Sequence, residues 1–218
     1  VHPSSKLNYY PVFLNLKAKK TVVVGGGKVA ERKVLSLIKT GADVTVISLD
    51  ITRRLLREKT AKRIGHIQRA YKKGDLKGAF LVVAATNSPD INRKISAEAP
   101  ALVNVVDVPL LCNCITPSIV KKGDLTIAIS TGGTSPAFSK AIRKELEKQY
   151  GNEFSSYLRF IKKVRAEAMA SIKEKNAREK FLKGLASEKI LDSLRKKGLA
   201  EVRKSILQKL MRLKASGN

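Results

Sequence analysis

Short apolar runs alternate with stretches of helical spacing through the first half of the chain, and helical spacing alone fills the second. Thr21-Val22-Val23-Val24 is a β-branched run that stops at three glycines, and Val29, Ala30, Val34, Leu37 and Ile38 then recur on one helix face. Strand, tight turn and helix are predicted in that order. Gly41 stands just past the last periodic residue, where a left-handed stop is expected. Asp43 to Ile47 reads as a second strand, which completes a βαβ unit within about thirty residues. A helix around residues 51–60, a strand near 64–67 and a wholly apolar strand from Phe80 to Ala85 follow. Such a strand needs cover on both faces, as a parallel sheet provides. Ser88 as cap and Pro89 in the first turn introduce a helix over 90–99, ahead of a strand over 102–106. The alternation predicts an α/β fold, a Rossmann-like doubly wound parallel sheet.

The texture changes from Asn113. Residues 115–120 and 125–130 read as two strands joined by a turn at Lys121-Lys122-Gly123-Asp124, a small separate sheet. Beyond Thr131-Gly132-Gly133-Thr134-Ser135-Pro136 the pattern is helical. Phe154, Leu158, Ile161, Val164, Ala168 and Ile172 make one apolar stripe, and a later segment capped by Ser187 breaks at Gly198. Three regions are therefore expected, at 1–112, 113–150 and 151–218.

Composition narrows the class. At 43% hydrophobic residues the chain can bury a sizeable core, and it has no apolar run of bilayer length and no basic-then-apolar leader. A soluble, cytoplasmic protein with no membrane role is expected. Cys112 and Cys114 are too close in sequence to staple separate elements and read as reduced thiols. The formal net charge is +26, of which the 18 basic and 7 acidic residues from Gly151 onward supply +11, so the excess is not one basic tail. A positive field of this kind attracts polyanions of any sort, and a generic basic surface is the alternative.

The chemistry concentrates at Gly25-Gly26-Gly27-Lys28-Val29-Ala30, a G-x-G-x-x-A string between a strand and a helix. Gly25 permits a sharp turn, Gly27 lets backbone come close to a pyrophosphate, and Ala30 permits close helix-to-strand packing. Asp50 lies about twenty residues on, where a carboxylate accepts hydrogen bonds from an adenosine ribose and repels a 2′-phosphate, which favours NAD as cofactor. Two further loops fall at strand ends, Ala85-Thr86-Asn87-Ser88 and Asp107-Val108-Pro109. Asp107 is the candidate proton acceptor, with a turn-capping aspartate as the plain structural alternative.

The strings Tyr10-Pro11-Val12-Phe13-Leu14-Asn15-Leu16, Val23 to Lys33, Asn104-Val105-Val106-Asp107 and Gly123 to Pro136 resemble the precorrin-2 dehydrogenase/sirohydrochlorin ferrochelatase (siroheme synthase) family, in a stand-alone form without a fused methyltransferase. The resemblance implies NAD-dependent oxidation of precorrin-2 to sirohydrochlorin, with ferrous iron insertion in some members, and a homodimer formed through the small β region. It implies Asp107 as catalytic residue and Lys28, Val29, Leu49 and Asp50 at the cofactor, where the glycine motif already places Gly25 and Gly27 and the strand-end position Ala85 and Thr86. Thr131, Gly132 and Ser135 are the expected substrate-binding residues. Ser48-Leu49-Asp50 stands where many relatives have Ala-Pro-Glu, and Asn87-Ser88 where two acids are common. A basic crevice suits a macrocycle bearing many carboxylates.

No resident metal site is expected. His2 and His66 are the only histidines, and Cys112-Asn113-Cys114 lacks further ligands. The reading from another class is a non-catalytic NAD-sensing module whose basic helical tail binds nucleic acid. That tail has an amphipathic stripe and few aromatic residues, which fits packing better than base stacking, so no nucleic-acid partner is expected.

Overall fold

The computed structural model describes residues 9–215; His2 lies outside the described residues. The chain divides into two compact units, the first ending at Thr116 and the second beginning at Pro117.

In the first unit β1 (Lys20–Val24), α1 (Lys28–Ile38), β2 (Asp43–Ile47), α2 (Arg53–Thr60), β3 (Gly65–Ile67), β4 (Leu81–Ala84), α3 (Pro89–Glu98) and β5 (Leu102–Val105) follow one another. The five strands form one sheet in the order β3-β2-β1-β4-β5, and every pair is parallel. The period of two along each strand splits the core into two layers. Val23, Val46 and Val83 pack with Ala30, Val34 and Leu37 of α1 and Leu55 of α2 on one face. Val22, Val24, Val82, Ala84 and Val105 pack with Ile95 of α3 on the other. Both faces are covered, which is why β4 carries no polar residue. Of the string from Tyr10 to Leu16 only Leu16 is buried, while Tyr10 is 87% and Phe13 74% exposed.

Local signals account for the element ends. Ser88 accepts from the Ile91 amide (3.4 Å) with Pro89 in the first turn of α3, and Thr52 accepts from the Leu55 amide (3.2 Å) at the head of α2. The second helix starts at Arg53, because Thr52 is its cap.

The second unit opens with an antiparallel pair, β6 (Ser118–Lys122) and β7 (Leu125–Ile129). The first of these strands begins three residues later than the apolar pattern at 115 predicts, because Pro117 carries no amide hydrogen for a ladder. Four helices follow: α4 (Pro136–Gln149), α5 (Asn152–Ser171), α6 (Lys175–Gly184) and α7 (Glu188–Ala215), the last interrupted where Gly198 turns left-handed at φ 77°. The predicted stripe is buried at Phe154, Val164, Ala168 and Ile172, and Phe181, Leu194, Val202, Ile206 and Leu210 close over it. Tyr157 joins this core with its hydroxyl donating to the Leu185 carbonyl (2.6 Å). Arg195 lies over the rings of Tyr150 and Phe154, and Arg203 over Phe160, so these aromatics serve the packing of their own unit. Among the described residues no helix is long and apolar enough to cross a membrane.

Phe181 is 2% exposed at the centre of the helical core. Phe181→Ala is expected to destabilise the second unit by about 3–5 kcal/mol, read as an earlier loss of helical circular dichroism in urea.

Candidate functional site: a crevice at the strand ends

The strand order reverses between β1 and β4, so loops leaving these neighbours part to opposite faces and open a crevice at their carboxyl ends. Hydrogen bonds continue the ladder past the strands: Gly25 donates to the Ile47 carbonyl (2.9 Å), Ala85 to that of Val24 (2.8 Å) and Val106 to that of Ala84 (2.9 Å). A cavity of about 280 Å³ lies here, floored by Val24 to Gly27, walled on one side by Ser48, Leu49 and Asp50 and on the other by Ala85, Thr86 and Asn87.

Each glycine of the turn has a different reason to be glycine. Gly25 has φ +119°, and a Cβ there would lie 2.3 Å from the Ala85 carbonyl oxygen. A Cβ on Gly26 would lie 1.8 Å from the Asp50 carbonyl oxygen and 2.7 Å from Ser48 Oγ. A Cβ on Gly27 would meet nothing within 4 Å. The first two glycines let backbone meet backbone, and the third leaves space. Gly27 is also the N-cap of α1 and offers no side-chain acceptor, so the first amides of that helix are uncapped by protein. Open space against uncapped amides, at the positive end of a helix, is a fit for a pyrophosphate.

The loop after β2 is pinned over this turn. Thr52 donates its amide to the Gly26 carbonyl (3.2 Å) and its hydroxyl to Glu31 of α1. That hydroxyl bond, with Lys28 Nζ at 3.6 Å adding to it, holds the Glu31 carboxyl below the ordinary carboxylate range against the opposing effect of burial. Asp50 and Leu49 are thereby fixed at the cavity wall. Thr86 is held by Asn92, its hydroxyl 2.7 Å from Asn92 Oδ1. Lys28 and Val29 stand in the first turn of α1 without lining the cavity, and the Lys28 side chain is 82% exposed. Ala30 is fully buried in the core.

Residues that the motif does not name complete the wall. Ser48, Asn87, Ala70, Tyr71 and Ile91 line the cavity, and Tyr71 donates to Glu98 Oε2 (2.7 Å), with burial pushing its phenol above the ordinary range. The loop after β3 has no sequence signature; Ala70 and Tyr71 reach the wall because the loops after β1, β2, β3 and β4 all contribute to it.

Asp107 does not line the cavity; it follows β5, one strand beyond Ala85 and Thr86, and is exposed. It has φ +61°, left-handed for a residue with a side chain, and its carboxylate makes no hydrogen bond or ion pair among the described residues. A carboxylate capping its own turn would make one. Thr131, Gly132 and Ser135 belong to the second unit, in the loop from β7 to α4. Ser135 accepts from the Phe138 amide (3.2 Å), and the Ser135 amide donates to Thr131 Oγ1 (3.1 Å). His66 Nε2 lies 3.1 Å from the Ser48 carbonyl oxygen, a strand-edge contact. Cys112 packs with one core layer of the sheet and Cys114 with the other; burial raises both thiols, that of Cys114 to about 11. No group of three or more His, Cys, Asp or Glu suited to a metal occurs among the described residues.

A switch-point crevice with a glycine turn at an uncapped helix start defines a nicotinamide-dinucleotide-binding domain of the Rossmann class. Comparison with known proteins agrees: residues 12–118 match a family described as putative NAD(P)-binding, and residues 122–149 one described as sirohaem biosynthesis protein central. The chain is similar to siroheme synthases over most of its own length. It is 43% identical over 140 residues to the siroheme synthase of Methylobacillus flagellatus, covering 63% of this chain and 30% of that protein. To the siroheme synthase of Thioalkalivibrio sulfidiphilus it is 36% identical over 178 residues, 80% of this chain and 36% of that one. The chain thus spans about a third of the length of these curated relatives. Among solved structures, SirC, a precorrin-2 dehydrogenase, superposes with a TM-score of 0.80 at 25% identity, over 94% of this chain and 100% of that one.

The contrast between Gly26 and Gly27 gives a paired expectation. Gly27→Ala is expected to leave the thermal midpoint unchanged and weaken dinucleotide binding by about tenfold or more, roughly 1.4 kcal/mol, in a calorimetric titration. Gly26→Ala is expected to lower the midpoint itself, because an Asp50 carbonyl must move.

Proposed function

We propose that this chain is a precorrin-2 dehydrogenase, oxidising precorrin-2 to sirohydrochlorin with NAD as hydride acceptor, as a cytoplasmic homodimer. The observation that carries the reading is the unbonded, left-handed Asp107 at the end of the strand next to the dinucleotide crevice, in a chain that covers a precorrin-2 dehydrogenase from end to end. A non-glycine residue held left-handed at a strand end is a feature found at functional sites.

Bound NAD supplies the hydride acceptor. Gly27 and the first amides of α1 receive its pyrophosphate, with Gly25 shaping the turn and Lys28 and Val29 in the first helical turn beside it. Asp50 accepts from the adenosine ribose and, by repulsion of a 2′-phosphate, selects NAD over NADP; Leu49, Ala85 and Thr86 hold the faces of the crevice. Loss of a hydride leaves the macrocycle with positive charge, which the Asp107 carboxylate stabilises before taking the proton whose loss completes the oxidation. Thr131, Gly132 and Ser135 contact the carboxylate-rich substrate, and the basic surface draws it in. The small β6–β7 sheet, with Ile119 44% and Phe138 60% exposed nearby, supports pairing of two copies through this region.

The test supplies precorrin-2 with NAD or NADP and follows reduced nicotinamide and sirohydrochlorin, then adds ferrous iron to examine insertion. Turnover with NAD well above NADP is expected; no turnover with either sinks the proposal. Asp107→Asn is the informative variant, because asparagine tolerates the left-handed conformation. It is expected to bind NAD as the wild type does and to lose about 10²–10⁴-fold in kcat.

A further inference from the structure

Helix α1 carries a cation that dinucleotide binding does not use. Lys33 is half-buried, and its ammonium donates to Asn104 Oδ1 (3.1 Å) and to Thr116 Oγ1 (2.9 Å). These two acceptors lie on either side of the excursion that bears Asp107. Asn104 is 8% exposed in β5, three residues before Asp107, and its amide donates to the Cys114 carbonyl (3.1 Å). Thr116 lies on the returning segment. Between them the chain leaves β5 at Asp107, makes a 3-10 turn over Pro109–Leu111 and folds back on the strand it left. Cys112 Sγ accepts from the Val105 amide (3.1 Å), and Asn113 Oδ1 from that of Val103 (2.7 Å). The excursion is closed at its base, and one ammonium holds both of its ends to α1.

The arrangement is costly for stability alone. Burial pushes the Lys33 ammonium below the ordinary lysine range, while the negative charge of nearby Asp107 works in the other direction. Both direct acceptors are neutral, so desolvation of the charge is not offset by an ion pair in contact. An apolar residue would fill this helix position at lower cost. What the ammonium adds is a fixed distance between two parts of one reaction centre.

We propose that Lys33 is a positioning residue, which ties the loop carrying Asp107 to the helix whose first turn receives the dinucleotide and so fixes the carboxylate relative to the cofactor. This rests on the role given to Asp107 above. Displacement of a reacting group by about 1 Å costs on the order of 10²-fold in rate.

Lys33→Met keeps the stem and removes the ammonium. The variant is expected to lose about 10²-fold in kcat with KM for NAD unchanged, the mark of a lost transition-state interaction. Amides of residues 105–114 are expected to exchange hydrogen faster, with β1 and β4 protected as before. A wild-type kcat, or a raised KM at constant kcat, overturns the proposal, as does unchanged exchange in the loop. If Lys33→Met does not fold, Thr116→Val removes one acceptor at an exposed position; a smaller loss of kcat with faster loop exchange supports the proposal, and no change in either overturns it. Absence of precorrin-2 oxidation in the wild type defeats the functional reading instead, and exchange in the variant still decides whether Lys33 holds the loop.

Discussion

Two backbone contacts, Gly25 against Ala85 and Gly26 against Asp50, set the shape of the carboxyl edge. A methyl group at either place would lie inside the van der Waals distance of a carbonyl oxygen. Their absence lets the loops after β2 and β4 close around the turn after β1, and the crevice at the switch point is what remains between them. The sheet beneath supplies the rigidity: ladder hydrogen bonds run on through Gly25, Ala85 and Val106, so the three strand ends move together or not at all. Backbone packed to this degree does not deform continuously, which is why the site is preformed.

Charge then works at two ranges. Within the crevice the uncapped start of α1 presents partial positive charge at one point, and the Glu31 carboxylate is engaged by Thr52 and Lys28. Over the whole molecule a net +26 raises the local concentration of anions without choosing their orientation. Selectivity is therefore left to short-range features, which in the proposed function are Asp50 at the cavity wall and the loop that carries Asp107.

Much of this was legible in the chain itself. The glycine string, the helix stop at Gly41, the cap at Ser88 and the apolar run at Phe80–Ala85 are local signals, and local signals fix elements and their order. Parallel strands share one carboxyl edge, which places the Gly25 turn and the Thr86 loop together. What did not read was anything set by non-local contact. Tyr71 and Ala70 line the cavity from a loop without pattern, and Gly26, formally the variable position of the motif, turned out to be the tightest point. A Cβ on Gly26 would meet the Asp50 carbonyl oxygen first, at 1.8 Å, and the Ser48 hydroxyl only at 2.7 Å. In the sequence Lys33 is one more basic helix residue, and it is contacts over 71 positions to Asn104 and 83 to Thr116 that distinguish it from its neighbours.

The left-handed backbone at Asp107 shows how these pieces depend on one another. A non-glycine residue in that region carries a cost of about 1–3 kcal/mol, less for aspartate than for most. The turn would relax if its flanks were loose, since nothing in the carboxylate's own bonding holds it. The flanks are not loose: Val106 is locked to Ala84, Cys112 and Asn113 re-pair with β5, and Lys33 joins both sides to α1. Strain at one residue is thus maintained by hydrogen bonds on the two segments that flank it. The carboxylate that results is aimed by the backbone and left chemically free, which is the condition a proton acceptor must meet.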